Sequence, residues 1–326
     1  MKSLLVLVYP GVALGHLTGM AEVFRFANQL AQYQDALSLQ PRYQVQFYHL
    51  SGASSYQADG LQITCITQLP AQIDALLIPG NYAHQAAELE QVMTLFRAHK
   101  DWFSDLQQRG TLLAAGCNGS FALAATGLLD GGKATTCWFL AEYFQQLFPQ
   151  VRLKAEASVS RSGSCLTAGA TTAYLQLCLQ LISEFDGVRF SSQLAKVLLV
   201  EPSLHSQAPF LSVQQLVSHQ DERIAAVQSY LRKNLAEPLD LQQLAQRFAM
   251  SGRTLIRRFK SATGDTPMAW LQKLRIDKAK NLLETTMMPL EQLTQQIGYE
   301  DVSSFRKLFQ QYTQMTPKAY RNHFFQ

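Results

Sequence analysis

The chain has 326 residues, 47% of them hydrophobic, with a formal net charge of +4. This is more than one ordinary core needs, since domains run at about 150 residues and two are therefore expected; the apolar fraction excludes a disordered chain. No apolar run approaches the roughly 20 residues of a membrane span, and the five cysteines have neither disulfide-framework nor zinc-site spacing.

Met1–Pro10 carries one lysine and then a short apolar stretch, without the basic region and cleavage site of a secretory signal, so it reads as a buried strand. With no export signal, a reducing cytoplasm is the expected setting. Leu4–Val8 is continuously apolar, as a strand buried on both faces would be. Thr18 is the expected cap of a helix whose buried face holds Met20, Val23, Phe24 and Ala27. Tyr43–Leu50 and Leu61–Ile66 alternate like half-buried strands. Asp74–Ile78 reads as a strand stopped by Pro79-Gly80, and one long helical region follows through Gln108. Thr111–Ala115 is a further strand, Phe121–Leu129 a helix and Thr171–Phe185 an amphipathic helix. Strand and helix in alternation predict an α/β domain with a parallel sheet covered on both faces.

The pattern changes at Glu201–Ser218, where prolines, serines and glutamines suggest a connection. The expected division is residues 1–205, a linker at 206–218, and an all-α domain at 219–326. From His219 onward there are sixteen Lys and Arg against ten Asp and Glu, whereas the whole chain carries +4, so the first 218 residues are net negative. A basic segment on a mildly acidic one suits a nucleic-acid-binding module, as well as a merely solvated charged surface.

The basic half contains a weak repeat. Leu244 and Phe248 match Leu293 and Ile297 at an offset of 49, while Leu255 and Phe259 match Phe305 and Phe309 at 50. Thr266-Pro267 then matches Thr316-Pro317, and Trp270 matches Tyr320. Each copy predicts a helix-turn-helix. In the first, Ser251 caps a helix whose Leu255 and Phe259 face the core, leaving Arg253, Ile256, Arg257 and Lys260 outward. In the second, Gly298 makes the turn, Asp301 caps, Phe305 and Phe309 are buried, and Val302, Ser303, Arg306 and Lys307 face outward. An exposed basic face on the second helix is what reading the major groove requires. Pro267 opens a connecting helix at the tolerated first position.

Those residues bring a resemblance. Met250-Ser251-Gly252-Arg253-Thr254-Leu255, Ala262-Thr263-Gly264-Asp265-Thr266-Pro267, Ile297-Gly298-Tyr299 and Thr316-Pro317-Lys318-Ala319-Tyr320 resemble the AraC/XylS DNA-binding domain across Asp221–Phe324. The resemblance implies a double helix-turn-helix that binds double-stranded DNA.

In the first half, Gly116-Cys117-Asn118-Gly119-Ser120 lies between an apolar strand and a helix. Such a turn lifts a side chain beside free amides, which favour a thiolate or an anion. Val8-Tyr9-Pro10-Gly11, Ile78-Pro79-Gly80, Ala115-Gly116-Cys117-Asn118-Gly119 and Ala134-Thr135-Thr136-Cys137-Trp138 resemble the ThiJ/PfpI superfamily over roughly residues 3–190. This implies a flavodoxin-like parallel sheet of the class I glutamine-amidotransferase-like type, and the whole chain resembles a GlxA-type regulator. Active members of the superfamily carry an acid after the first strand, where this sequence has His16, and a histidine downstream, where it has Cys137. Cys117 keeps the nucleophile position without its usual partners, which implies no catalytic residue.

The expected function is a non-enzymatic transcription regulator that responds to a small molecule, with no cofactor, no metal and no membrane association, and forming a homodimer. The expected effector pocket is bounded by His16, Asn81, Cys117, Asn118, Cys137 and Trp138. Amides at the start of the Ser120 helix would favour an anionic, amino-acid-like ligand. An active cysteine hydrolase or amidase tethered to DNA, and a thiol-based redox regulator, stay open as alternatives.

Overall fold

The computed structural model describes residues 1–35, 40–201, 206–212 and 221–325. They form two compact units, Met1–Gln207 and Ala208–Gln326. Among the described residues no helix is long and apolar enough to cross a membrane.

The first unit is built on a six-stranded sheet. Its strands are β1 (Lys2–Val8), β2 (Tyr43–His49), β5 (Ala75–Ile78), β6 (Leu112–Gly116), β9 (Val159–Ser162) and β10 (Cys165–Ala168). Their order is β2-β1-β5-β6-β10-β9. All neighbours pair in parallel except β9, which runs antiparallel to β10 at the edge. Leu4 to Val8 and Ala75 to Ile78 are fully buried, as parallel strands covered on both faces must be. α1 (Leu14–Gln34) packs with α6 (Tyr174–Asp186) and α7 (Val188–Val197), while α2 (Ala86–Arg97) packs with α4 (Gly119–Ala125).

The local differences from expectation have identifiable causes. Helix α1 starts four residues before Thr18, at Leu14, and Ala13 makes no side-chain cap. The Thr18 hydroxyl donates instead to the Leu14 carbonyl, 2.8 Å away, one turn back in the same helix. Leu61–Ile66 does not join the main sheet. β3 (Ser55–Ala58) and β4 (Leu61–Thr64) form a separate hairpin whose turn residues Asp59 and Gly60 both have positive φ, the backbone an Asp-Gly turn favours. The helical region before Gln108 is two helices, α2 and α3 (Lys100–Gln108). Helix α4 begins directly at Gly119. Short β7 (Lys133–Ala134) and β8 (Arg152–Leu153) pair with each other, flanking α5 (Ala141–Leu147).

The second unit holds α8 (Glu222–Lys233), α9 (Leu241–Arg247), α10 (Gly252–Thr263), α11 (Pro267–Thr285), α12 (Leu290–Gln296), α13 (Val302–Thr313) and α14 (Pro317–Phe324). Its starts are written in cap residues. Asp240, Ser251, Thr266, Asp301 and Thr316 each accept backbone N–H bonds from the first turn that follows. Two apolar cores result. One joins Ile224, Leu231, Leu244, Leu255, Phe259 and Trp270; the other joins Ile276, Leu283, Leu293, Ile297, Phe305, Phe309 and Tyr320. The repeat is visible in its aromatic pairs: Phe259 meets Trp270 edge-on at 5.7 Å, and Phe309 meets Tyr320 at 5.3 Å. Helix α11 serves both cores, with Trp270 in one and Ile276 to Leu283 in the other.

The expected linker at 206–218 is divided. Ser206 and Gln207 close the first unit, Ala208–Ser212 belong to the second, and residues 213–218 lie outside the described residues. Phe210 stacks edge-on with Phe324 at 5.4 Å, the Tyr320 hydroxyl donates to the Pro209 carbonyl, and the buried Lys280 ammonium donates to the Leu211 carbonyl. Burial pulls the Lys280 pKa down against the neighbouring Asp277 and Glu284, so losing that carbonyl would leave a costly buried cation. A fragment of residues 208–326 is therefore expected to melt higher, in side-by-side circular dichroism, than one of residues 219–326. Equal melting would mean that residues 208–212 contribute nothing to the helical core.

Candidate functional site

Two kinds of site are present, one in each unit. In the helical unit, the connection from α9 to α10 is tight because Ala249 takes a left-handed φ of 52°. The equivalent turn from α12 uses Gly298 at φ 80°, where a Cβ would come 2.3 Å from the Ala236 carbonyl oxygen, so only glycine fits. On α10, Leu255 and Phe259 are fully buried while Arg253, Ile256, Arg257 and Lys260 are exposed. These four follow helical spacing and share one face. On α13, Phe305 and Phe309 are buried, Ser303, Arg306 and Lys307 are exposed, and Val302 is half-buried.

One arginine of the basic run is withdrawn from that face. Arg258 grips the Asp221 carboxylate with two bonds, of 3.0 and 2.8 Å, and Asp221 also caps α8. Sequence spacing had no means of showing this pairing of residues 37 apart.

In the first unit, β6 ends at Gly116 and the chain turns sharply into α4. Cys117 sits at that turn with a φ of 55°, a left-handed conformation that costs a non-glycine residue energy and marks functional turns. The turn is held from several sides. The Cys117 amide donates to the Ala168 carbonyl, at 3.1 Å. Its carbonyl accepts from the Ser120 hydroxyl at 2.8 Å and the Thr136 hydroxyl at 3.4 Å. The Asn118 carboxamide donates to the Asn81 and Ala83 carbonyls and the Asn81 side chain, and accepts from the Asn81 amide. Gly80 lies where these meet: a Cβ there would stand 3.0 Å from the Cys117 Cβ and from His16 Nδ1.

The structure thus brings His16, Asn81, Cys117, Asn118 and Cys137 together, all of them buried, with half-buried Trp138 next in the chain. His16 is not placed to act as a base. Its Nδ1 accepts the Gly80 amide proton at 3.0 Å, its ring also bonds the Thr171 backbone, and burial holds its pKa below the ordinary imidazole range. Cys137 occupies the position facing Cys117. The Cys137 thiol hydrogen-bonds to Cys117 and, with the Asn118 amide, outweighs burial to hold the Cys117 pKa below the usual thiol range. Burial first, and the Cys117 sulfur second, push the Cys137 thiol well up.

The free amides expected at the start of the Ser120 helix are largely occupied. The Asn118 amide serves the Cys117 sulfur, that of Ser120 the Cys117 carbonyl and that of Phe121 the Asn118 carbonyl. The amides therefore give no basis for an anionic preference. Sequence reasoning also missed Gln207. Its buried carboxamide donates to the Thr136 carbonyl at 2.9 Å and the Ala155 carbonyl at 2.6 Å, and accepts from the Ala170 amide at 3.0 Å.

Residues 4–184 match the DJ-1/PfpI family and residues 244–323 a helix-turn-helix domain. The chain belongs to the DJ-1/PfpI family, and its AraC-type helix-turn-helix domain makes it a DNA-binding transcription regulator. Its architecture is of the GlxA type. It is 26% identical to HTH-type transcriptional regulator GbdR of Pseudomonas aeruginosa, over 98% of this chain and 84% of that protein. It is 28% identical to CdhR of the same species, over 77% and 76% of the two chains. Identity to GlxA of Rhizobium meliloti is 24%, over 66% and 67%. Among solved structures, a candidate transcriptional regulator from Vibrio parahaemolyticus shares the fold, with a TM-score of 0.52 and 19% identity over 60% of this chain and 98% of that one.

The buried His16 makes a pH prediction. An unfolded histidine titrates near pH 6.5, while folded His16 resists the proton. Between the two pKa values the unfolded chain holds more protons, so stability falls as pH drops below about 6.5 and levels once folded His16 is protonated. Burial lowers His49 in the same direction. The melting temperature is expected to fall from pH 7 to 5, and to fall less in His16→Gln, whose carboxamide keeps an acceptor for Gly80 and a donor for Thr171. Parallel curves for the two proteins would refute the assignment of His16 as a neutral acceptor.

Proposed function

We propose that this regulator reads duplex DNA with α10 and α13 and that its DJ-1/PfpI unit serves as a non-catalytic sensor of a small effector. The observation that carries the reading is the duplicated division of labour on those helices. In each, two aromatic or aliphatic anchors are buried and the opposite face offers cations to bases and phosphates. Arg253, Ile256, Arg257 and Lys260, with Val302, Ser303, Arg306 and Lys307, are the reading residues under this proposal. Lys280, buried against Leu211, is not among the phosphate contacts, whereas exposed Lys278 is available for one.

Loss of catalysis is supported by the chemistry around Cys117. A thiol nucleophile needs a base or cation close by, and this one faces a thiol and a neutral imidazole whose Nδ1 is spent on Gly80. The sensing role is assigned to His16, Asn81, Cys117, Asn118, Cys137 and Trp138. Because these residues are nearly closed off, admission of a ligand requires the Asn81 or Trp138 side of the cluster to open. The proposed ligand is a small amino-acid-like metabolite. Movement of the Cys137–Trp138 segment would be felt at Thr136 and so at Gln207, the last residue of the first unit. The proposed working form is a cytoplasmic homodimer bound to double-stranded DNA, with residues 1–207 as sensor and 208–326 as reader.

Arg257→Ala or Arg306→Ala is expected to weaken specific operator binding by about 1–3 kcal/mol, roughly ten- to a hundred-fold, and to relax preference at the bases each one reads. Lys278→Ala should weaken operator and random duplex alike. Titration by fluorescence anisotropy at fixed salt separates these cases, and wild-type protein that binds both duplexes equally would sink the reading. For the sensor, thermal-shift screening with amino-acid-like metabolites should find a stabilising compound whose effect shrinks in Trp138→Ala. An unchanged shift in that variant would place the effector elsewhere.

A further inference from the structure

Cys117 and Cys137 are twenty positions apart in sequence and belong to different loops, yet their thiols meet beneath the end of the sheet. The other three cysteines are differently placed. The Cys65 thiol is turned to the Ile63 carbonyl and that of Cys165 to the Leu128 carbonyl, and Cys178 is wholly enclosed. Burial pushes the Cys165 thiol up to about 11 and that of Cys178 higher still. Only the Cys117 sulfur receives both a backbone N–H and a second thiol among the described residues.

We propose that Cys117 and Cys137 form an oxidisable dithiol, which a small hydroperoxide converts to a disulfide with Cys117 attacking and Cys137 resolving. The two sulfurs are unequal in access. Cys117 retains 8% exposure, enough for an oxidant of two heavy atoms to touch, whereas Cys137 has none. They are also unequal in acidity, because the donors around Cys117 favour its thiolate and burial keeps Cys137 protonated. The left-handed turn fixes the Cys117 side chain toward its partner. Cys137 precedes a single helical turn, Trp138–Leu140, and lies outside any strand, so its backbone has room to yield. A disulfide requires the sulfurs to close to about 2.05 Å, which two contacting thiols reach by a small shift.

The chemistry balances with hydrogen peroxide as the simplest oxidant. The Cys117 thiolate attacks one peroxide oxygen; an S–O bond forms, the O–O bond breaks, and hydroxide leaves to be protonated to water. The Cys137 sulfur then attacks the sulfenic sulfur of Cys117. The S–S bond forms, the S–O bond breaks, and the departing hydroxide takes the Cys137 proton as a second water. Each sulfur is oxidised by one electron and the peroxide is reduced by two. The new bond would draw in Cys137 and with it Thr136, whose carbonyl Gln207 holds.

The test uses the reduced full-length chain, treated with hydrogen peroxide, quenched by alkylation under denaturing conditions and mapped by mass spectrometry. Free thiols should fall from the five of the sequence by two, with one peptide pair joining Cys117 to Cys137 and released by dithiothreitol. Cys137→Ala should give no joined pair and a dimedone-trappable sulfenic acid at Cys117 instead. Cys117→Ser should keep all its remaining thiols under the same dose. Three results would each overturn the proposal: all five thiols surviving in wild type, the same oxygen adducts on Cys117 in wild type and Cys137→Ala with no joined pair, or linkage through Cys65, Cys165 or Cys178.

Discussion

The first unit depends on one side chain, the carboxamide of Asn118. It ties the start of α4 to the loop after β5 with every polar atom it has, donating to the Asn81 and Ala83 carbonyls and the Asn81 side chain and accepting the Asn81 amide. A buried amide that is fully bonded is rigid as well as satisfied. The ends of two adjacent parallel strands are thereby held in register, and the left-handed turn at Cys117 has something to lean on. Gly80 is glycine because the crowded junction leaves no space for a Cβ, and His16 is pinned by the Gly80 amide. The cluster around Cys117 is therefore a product of loop anchoring more than of sheet geometry.

The helical half was largely legible in the sequence, and for physical reasons. Its helices begin at residues whose short oxygen-bearing side chains suit only a cap, as at Ser251, Thr266, Asp301 and Thr316. Its buried positions repeat at helical spacing, so the anchors Leu255, Phe259, Phe305 and Phe309 stand out beside the charges between them. The second copy corroborates the first. What stayed hidden was pairing at a distance. The Arg258–Asp221 grip and the Lys280–Leu211 bond join residues that no local pattern relates, and the attachment of residues 208–212 to the helical core depends on those contacts.

In the α/β half, strands buried on both faces announced themselves by continuous apolar runs, as at Leu4–Val8 and Ala75–Ile78. Short, half-exposed strands did not. Ser55–Ala58 and Val159–Ser162 mix polar and apolar residues too evenly to signal a face, although Asp59-Gly60 carried a turn signal. Helix α1 begins without a side-chain cap, so a search for capping hydroxyls settled on Thr18, which lies inside it. For the site, sequence placed Cys117 at a strand-to-helix turn. It gave no measure of how far Cys137 stood from it, and Gln207 lacked any motif, being recognisable only by the three backbone groups it satisfies.

The division of surfaces on α10 has a bearing on how such a protein diversifies. The side chains that hold the helix in place are Leu255, Phe259 and, through Asp221, Arg258; those offered outward are Arg253, Ile256, Arg257 and Lys260. No side chain belongs to both groups. Recognition and folding are thus nearly independent variables in this helix. A lineage, or an engineer, can rewrite the outward four to address a new sequence of bases without drawing on the stability of the fold, while an exchange at Arg258, though it looks like one more cation in a basic run, would be judged by the core instead.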